Sequence, residues 1–474
     1  MAFAKTLLAL ALVLLLGRAW LQLCGLSVRE NDTPVWGQRL ETLAVSWLLG
    51  CVWLGWLVHM SVLLLGRVPV AIWWLALSVL VLALSRAWRQ LLTFATGFIS
   101  TQWRWPVLTR GEWLALFPLA ILLLQIAQSF VTSISTSLGW DGLLLWGLKA
   151  KAIYLSSHSA SDALWQYLNA DVLNYSHRDY PLTFPASEAW VFVWCGGVNE
   201  QMLKLIVPLF WTALLVILSV RLCAVLPPVV ALLCVCLLTG APLLDYLAHT
   251  GYADVPLLAF AGSAAAFAAE SLRRESVRAE WLALLLAAGG ATVKKEGLIF
   301  AALLVAGWLF VRLARRRWPD TRRLLWQTLV AAALVIGPYW LFLWRYRLPS
   351  IDFLPLGALT PAHLGRLSAV GYYALTQMMS AQVFGYGWFV IAGLALWCWR
   401  AWRNPAAALL LWLCASYLGF SVGVFVLSSW PDYFAHVTTA LPRLLAHALP
   451  VAVLLVGHLW AARFESEVEA AGAA

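Results

Sequence analysis

The sequence predicts an all-α polytopic membrane protein, and three features carry that prediction. Of its 474 residues 63% are hydrophobic and only 11% charged, less than half the roughly 25% charge of an ordinary soluble domain. Apolar runs near the ~20 residues that cross a bilayer recur along the chain, among them 7–26, 43–65, 113–135, 203–220, 225–240, 324–344, 405–427 and 445–462. The short alternating strands that mark a membrane barrel do not occur between them. Each run reads as a helix, because a backbone in lipid has to satisfy its own hydrogen bonds. About twelve spans are expected.

The first run follows Lys5, but no small-residue cleavage site with a polar mature domain comes after it, so it is kept as a span rather than a leader. The 30 tryptophans and 20 phenylalanines suit interfacial belts and helix-packing faces rather than a cofactor. Most of the eight cysteines (Cys51, Cys223, Cys234, Cys236, Cys398, Cys414) lie inside apolar runs, without CxxC or Cys/His ligand spacing. They behave as small hydrophobes, and neither structural zinc nor a disulfide framework is expected. The net charge of +10 comes from arginines at span ends, which fits topological anchoring and anionic lipid rather than nucleic acid.

The densest basic segment, "RLARRRWPDTRR" at 312–323, belongs in the cytoplasm by the positive-inside rule, with "RRESVR" at 273–278 and "RAWR" at 400–403 beside it. Counting spans outward puts 137–201, 249–255, 293–297, 346–382 and 429–442 on the opposite face. Arg86, Arg89, Arg104 and Arg110 leave the first spans open: either 86–112 is a cytoplasmic loop and the amino terminus is outside, or 90–101 crosses and it is inside. Residues 1–112 form a transmembrane extension, 113–345 a core with the external loop 137–201, and 346–474 further helices with external loops 346–382 and 429–442.

The external face collects Asp141, Asp162, Asp171, Asp179, Glu188, Glu200, Asp254, Glu296, Asp352 and Asp432, with Lys149, Lys151, His177, Arg178, Lys294, Lys295 and Arg443. Acids near a membrane are costly and need a functional or pairing reason. Asp162, Asp171 and Asp352 read as solvated loop charges. The loop 137–201 is far longer than an ordinary helix connection, as functional loops often are. It opens with "WDGLLLWGLKAKAIYL" at 140–155, loosely amphipathic through Leu143, Leu144, Leu148, Ile153 and Leu155 against Lys149 and Lys151. An interfacial helix fits it, with both lysines near lipid phosphate. Asp141 then either caps that helix or serves a site. "HRDYPLTFPASEAW" at 177–190 favours a site by adding His177, Arg178, Asp179 and a rigid Tyr180–Pro181 turn. Asp254 in "HTGYADVPLLAF" and the lysines of "ATVKKEGLIF" can likewise cap a helix or snorkel, but together they reinforce the site.

In this order the motifs resemble those of polytopic glycosyltransferases of the GT-C class, in particular the family-39-like group of protein O-mannosyltransferases and the lipid A aminoarabinose transferase. The likeness runs over about 130–310: Asp141 leading into a juxtamembrane helix, "DYPLTFP" at 179–185, Trp190, "GGVNEQMLKL" at 196–205, "ADVPLLAF" at 253–260 and "TVKKEG" at 292–297, with a weaker echo in "TTALPRLLAHALP" at 438–450. Two departures stand out. Asp141 follows three or more spans instead of one, and "WDG" lacks a second adjacent acid.

The resemblance implies a GT-C-type bundle with interfacial helices in the large external loop. It implies transfer of a sugar from a polyprenyl phosphate or diphosphate to a hydroxyl or amine of a glycan, lipid or protein acceptor outside the cytoplasm. In a Gram-negative bacterium the site would face the periplasm from the inner membrane. Asp141 is expected as the base, with Asp179 and His177 orienting the acceptor or assisting. Arg443, Lys294 and Lys295, backed by Lys149, Lys151 and Arg178, would hold the departing phosphate. His177, Tyr180, Asp254 and Glu296 would complete substrate binding. No metal-ligand set is visible and no cofactor is expected, a divalent cation staying an open option. The alternatives are a lipid-linked sugar flippase, which should carry broken or charged mid-membrane helices and repeats, a lipid-linked oligosaccharide ligase or polymerase, for which "SHRDYP" speaks, and a membrane scaffold without catalysis.

Overall fold

The computed structural model describes residues 1–26, 35–78 and 110–472. These residues are helical nearly throughout, apart from one isolated antiparallel bridge between Phe353 and Ser428. Nine helices among them are long and apolar enough to cross a membrane: Ala2–Leu23, Trp36–Leu65, Trp113–Ser135, Glu200–Cys223, Asp254–Arg274, Lys295–Ala314, Trp318–Tyr346, Pro405–Leu427 and Tyr433–Phe464. The chain is an integral multi-pass membrane protein of helical type.

Of the about twelve spans expected, these nine stand among the described residues, and two further apolar helices there are short. The run 225–240 folds as Pro228–Thr239, opened by Pro227 and Pro228 and stopped at Gly240. At 1.5 Å per residue its twelve residues rise about 18 Å, short of a ~30 Å hydrocarbon layer. Gly387–Trp397 is one residue shorter. The basic stretch from Arg86 to Arg104, on which the orientation of the amino terminus turned, lies outside the described residues.

Asp254–Arg274 occupies the centre of the bundle and is buried from Asp254 through Ser271. Its sequence "AFAGSAAAFAA" explains why: in lipid, helices associate by close van der Waals fit, and small residues let backbones approach. It packs against Ile206–Cys223, Val277–Ala291, Pro405–Gly423 and Tyr433–Gly472. Trp113–Ser135 lies at the rim, with Leu114, Phe117 and Leu124 about two-thirds exposed to what would be lipid.

Segment 137–201 is a packed layer and not a single surface helix. Gly142–Gly147 forms a widened π turn, followed by helices Leu148–His158, Ala163–Asn169 and Thr183–Cys195. Thr183–Cys195 packs on the first two helices, where the Trp190 indole donates to the Ala9 carbonyl at 2.9 Å and His59 Nε2 accepts from Leu182 N at 3.2 Å. The expected division of Leu148–His158 into an apolar and a lysine face is overturned. Trp146, Lys149, Ala150 and Ile153 recur at helical spacing on one inward face and are all buried. Lys151 points outward.

Candidate functional site

A cavity of about 710 Å³ opens at the end of the bundle where the five segments assigned to one face converge. Its wall takes Trp140, Asp141, Trp146, His177 and Tyr180 from the large loop, Tyr252 from 249–255, Lys294 and Glu296 from 293–297, Asp352 from 346–382, and Trp430 and His436 from 429–442, completed by Arg443. The basic clusters gather elsewhere: Arg312, Arg315, Arg317 and Arg323 surround a small cleft with Glu275, Glu280 and Asp320. Asp254 and Arg274 end the same 21-residue helix, so the two regions are separated by roughly 30 Å of rise.

Asp141 is positioned by glycines. Gly139 N donates to the Thr250 carbonyl at 2.9 Å, and a Cβ on Gly142 would stand 2.5 Å from that same oxygen. Gly251, with φ +80°, lies against Leu138 and the Gly142 Cα. "WDG" and "HTGYAD" are thus docked backbone to backbone, as side chains would forbid. The Asp141 carboxylate ion-pairs with Arg443, whose guanidinium also lies 3.6 Å from Asp254 and over the Tyr252 ring.

Asp254, fully buried in the first turn of the central helix, links the network. It accepts from Lys294 Nζ at 2.9 Å and pairs with His447 Nε2 at 3.0 Å, while His447 Nδ1 meets the Tyr417 hydroxyl at 3.0 Å. Lys294 also reaches Glu296 at 3.2 Å. Burial on its own would lower the Lys294 ammonium, but the Asp254 and Glu296 carboxylates outweigh it and hold the group above the usual lysine range.

Asp352 was expected as a solvated loop acid and is instead buried, 7% exposed. Its Oδ2 lies 3.1 Å from His177 Nδ1, its Oδ1 takes the Trp430 indole at 3.4 Å, and its carbonyl accepts from Ser429 N at 2.9 Å. Burial pushes its carboxyl up, yet the His177 hydrogen bond and charge bring it below the ordinary range. His177, at φ +48°, closes the turn Asp171–Ser176 and stacks on Tyr180 at 4.8 Å. His436 stacks on Trp430 at 4.6 Å and pairs with the Ser428 hydroxyl at 2.9 Å.

The remaining predicted site residues stand outside the cavity wall. Asp179, 2% exposed, ion-pairs with Lys295 and its carbonyl accepts from the Tyr339 hydroxyl at 2.9 Å. Lys149 lies under Trp146 and donates to the Ser176 carbonyl at 2.7 Å, so it is turned away from lipid phosphate. Arg178 stabilises its own loop through Asp171 at 2.9 Å and the Leu168 carbonyl at 2.6 Å. Lys151 is exposed on the far side of its helix. Asp162 and Asp171 are exposed, as expected of loop acids.

Sequence reasoning missed Asp352, Trp430, His436 and His447. Only His447 carried a usable signal: it stands four residues after Arg443 in "PRLLAH", so one helix face presents both towards Asp254. No family model, curated protein or solved structure matches the chain.

Proposed function

We propose that the chain is a membrane glycosyltransferase of GT-C-like type, which moves a sugar from a polyprenyl-phosphate carrier to an acceptor at the non-cytoplasmic face. The carrying observation is the cavity itself: aromatic rings surround it, a paired arginine and lysine line it, and it opens at the end of an apolar bundle. Aromatic faces suit the C–H face of a sugar, and Arg443 and Lys294 suit an oxyanion leaving on phosphate. A donor whose tail stays in the bilayer needs only its headgroup admitted.

Asp141 holds Arg443 towards the cavity in this reading. Asp141 Oδ2 already faces the Arg443 guanidinium, an arrangement that suits holding this cation for the donor phosphate more directly than the base role expected for Asp141. Arg443→Ala is expected to remove transfer, and Asp141→Asn to raise the donor KM about tenfold or more with a smaller change in kcat. The check is release of polyprenyl phosphate from a panel of polyprenyl-phosphate hexoses and pentoses by protein reconstituted in vesicles with a cell-envelope acceptor extract. Donor flipping without sugar transfer would overturn the reading in favour of a transporter.

A further inference from the structure

We propose that His177 and Asp352 form a catalytic dyad in which His177 takes the proton of the acceptor hydroxyl and Asp352 orients and balances the imidazole. This deepens the glycosyltransferase reading and rests on it for the identity of the reaction.

Three observations carry the dyad. The first is pairing: a carboxylate only accepts, so Asp352 Oδ2 at 3.1 Å puts the proton on His177 Nδ1 and leaves a lone pair on Nε2. The second is fixation of both partners. Asp352 is held at Oδ1 by Trp430 and at its backbone by Ser429, and the His177 ring lies flat on Tyr180. His177 holds a left-handed φ of +48°, a conformation uncommon outside glycine that is retained where surroundings enforce it. The third is access: both residues line the cavity that contains Arg443 and Lys294. Asp141 and Asp254, by contrast, each turn a carboxylate oxygen to those cations.

The step balances without a metal or redox partner. The acceptor O–H gives its proton to His177 Nε2 and the acceptor oxygen bonds to the anomeric carbon. The anomeric C–O bond to the lipid phosphate breaks, and its electron pair leaves with the phosphate. The imidazolium, facing the Asp352 carboxylate, later returns the proton to water. Asp352 is a positioning residue, since it acts through His177. Asp352 and Tyr180 touch the imidazole; Tyr175, His436, Glu296, Lys294, Asp141 and Arg443 line the same cavity and contribute to its field.

The test uses the full chain in vesicles with the donor panel above. In His177→Asn, chosen because asparagine tolerates left-handed backbone, kcat is expected to fall about 100-fold or more with the donor KM within about threefold. In Asp352→Asn kcat falls as well with the donor KM again within about threefold, and Asp352→Glu, which restores a carboxylate beside the imidazole, recovers part of the rate. Undiminished kcat in His177→Asn or Asp352→Asn, or no recovery in Asp352→Glu, overturns the dyad. So does a kcat loss in Asp141→Asn at unchanged KM, which would return the base role to Asp141. A readout without turnover separates the two ideas: diethylpyrocarbonate should modify His177, at a rate that changes in Asp352→Asn. An unreactive His177 or an unchanged rate overturns the dyad, whereas a wild type with this reactivity but no transfer overturns the glycosyltransferase reading.

Discussion

Lys149 shows how far a residue's type can mislead about its place. Next to Trp146 and near Tyr180, it is fully buried; burial lowers its ammonium to about 7, against the pull of the Asp179 and Glu188 carboxylates. Glu188, also buried, has neither carboxyl oxygen hydrogen-bonded among the described residues, and burial raises it well above the carboxylate range with Lys149 opposing. The sign of the Lys149 effect follows from linkage. The folded chain releases this proton near pH 7 while the unfolded chain keeps it to about 10.4, so the unfolded state binds more protons between those values and stability rises with pH. The melting temperature of wild type relative to Lys149→Met should therefore climb from pH 7 to 10. A difference that stays flat would show that burial does not lower this ammonium.

The same scale explains why Asp352 was unreadable. "IDFLP" offers nothing that separates a buried, paired acid from a loop acid in water, and its partners lie 175 residues upstream, at His177, and at Trp430. Asp141 was legible because it stands in a motif, but its partner Arg443 is 302 residues away.

At the scale of elements, the opening of the large loop depends on a close backbone approach. Gly142→Ala places a methyl against the Thr250 carbonyl, and a backbone atom cannot swing aside as a side-chain tip can. The expected cost is about 1–3 kcal/mol of stability, together with impaired transfer as Asp141 is pushed off Arg443. Unfolding midpoints and donor KM measure the two effects, and a variant with wild-type values for both would refute the docking role of the glycine. The expected outward lysine face of 140–155 failed at Lys149 for a general reason. Polarity sorts helix faces when one side is water, but here a protein interior lies on one side and lipid or loop on the other. A lysine that finds a carbonyl and two rings can then turn inward.

At the opposite end of the helices, Glu280 is buried and binds Arg312, Arg323 at 3.1 Å and, through its other oxygen, Arg323 Nε at 3.1 Å. It ties Val277–Ala291 to Lys295–Ala314 and Trp318–Ala331. Glu280→Ala removes the buried carboxylate paired with Arg312, a loss of about 3–5 kcal/mol. Denaturation in detergent should show it, and a loss below about 1 kcal/mol would mean that water reaches the site.

For the whole molecule, orientation is the outstanding expectation of the charge pattern. Arg322 and Asp162 are both exposed and belong to the basic end and the large loop. In intact cells a membrane-impermeant maleimide should label Asp162→Cys and spare Arg322→Cys until the membrane is opened. The reverse pattern would put the cavity in the cytoplasm and exclude the external reaction.

The sequence by itself determined that the chain is a helical multi-pass membrane protein and which charges gather at each end. That follows because partition between water and lipid acts on each segment separately, so composition and length suffice. The five segments it assigned to one face do meet around one cavity. Only the tertiary structure decided who sits beside whom, bringing Asp254 to His447 across 193 residues, Asp141 to Arg443, and His177 to Asp352. Lipid is as apolar as the helix surfaces, so it gives no hydrophobic preference for one lateral arrangement over another. The choice falls to shape, close glycine contacts and the pairing of buried charges, and those exist only once the helices are together.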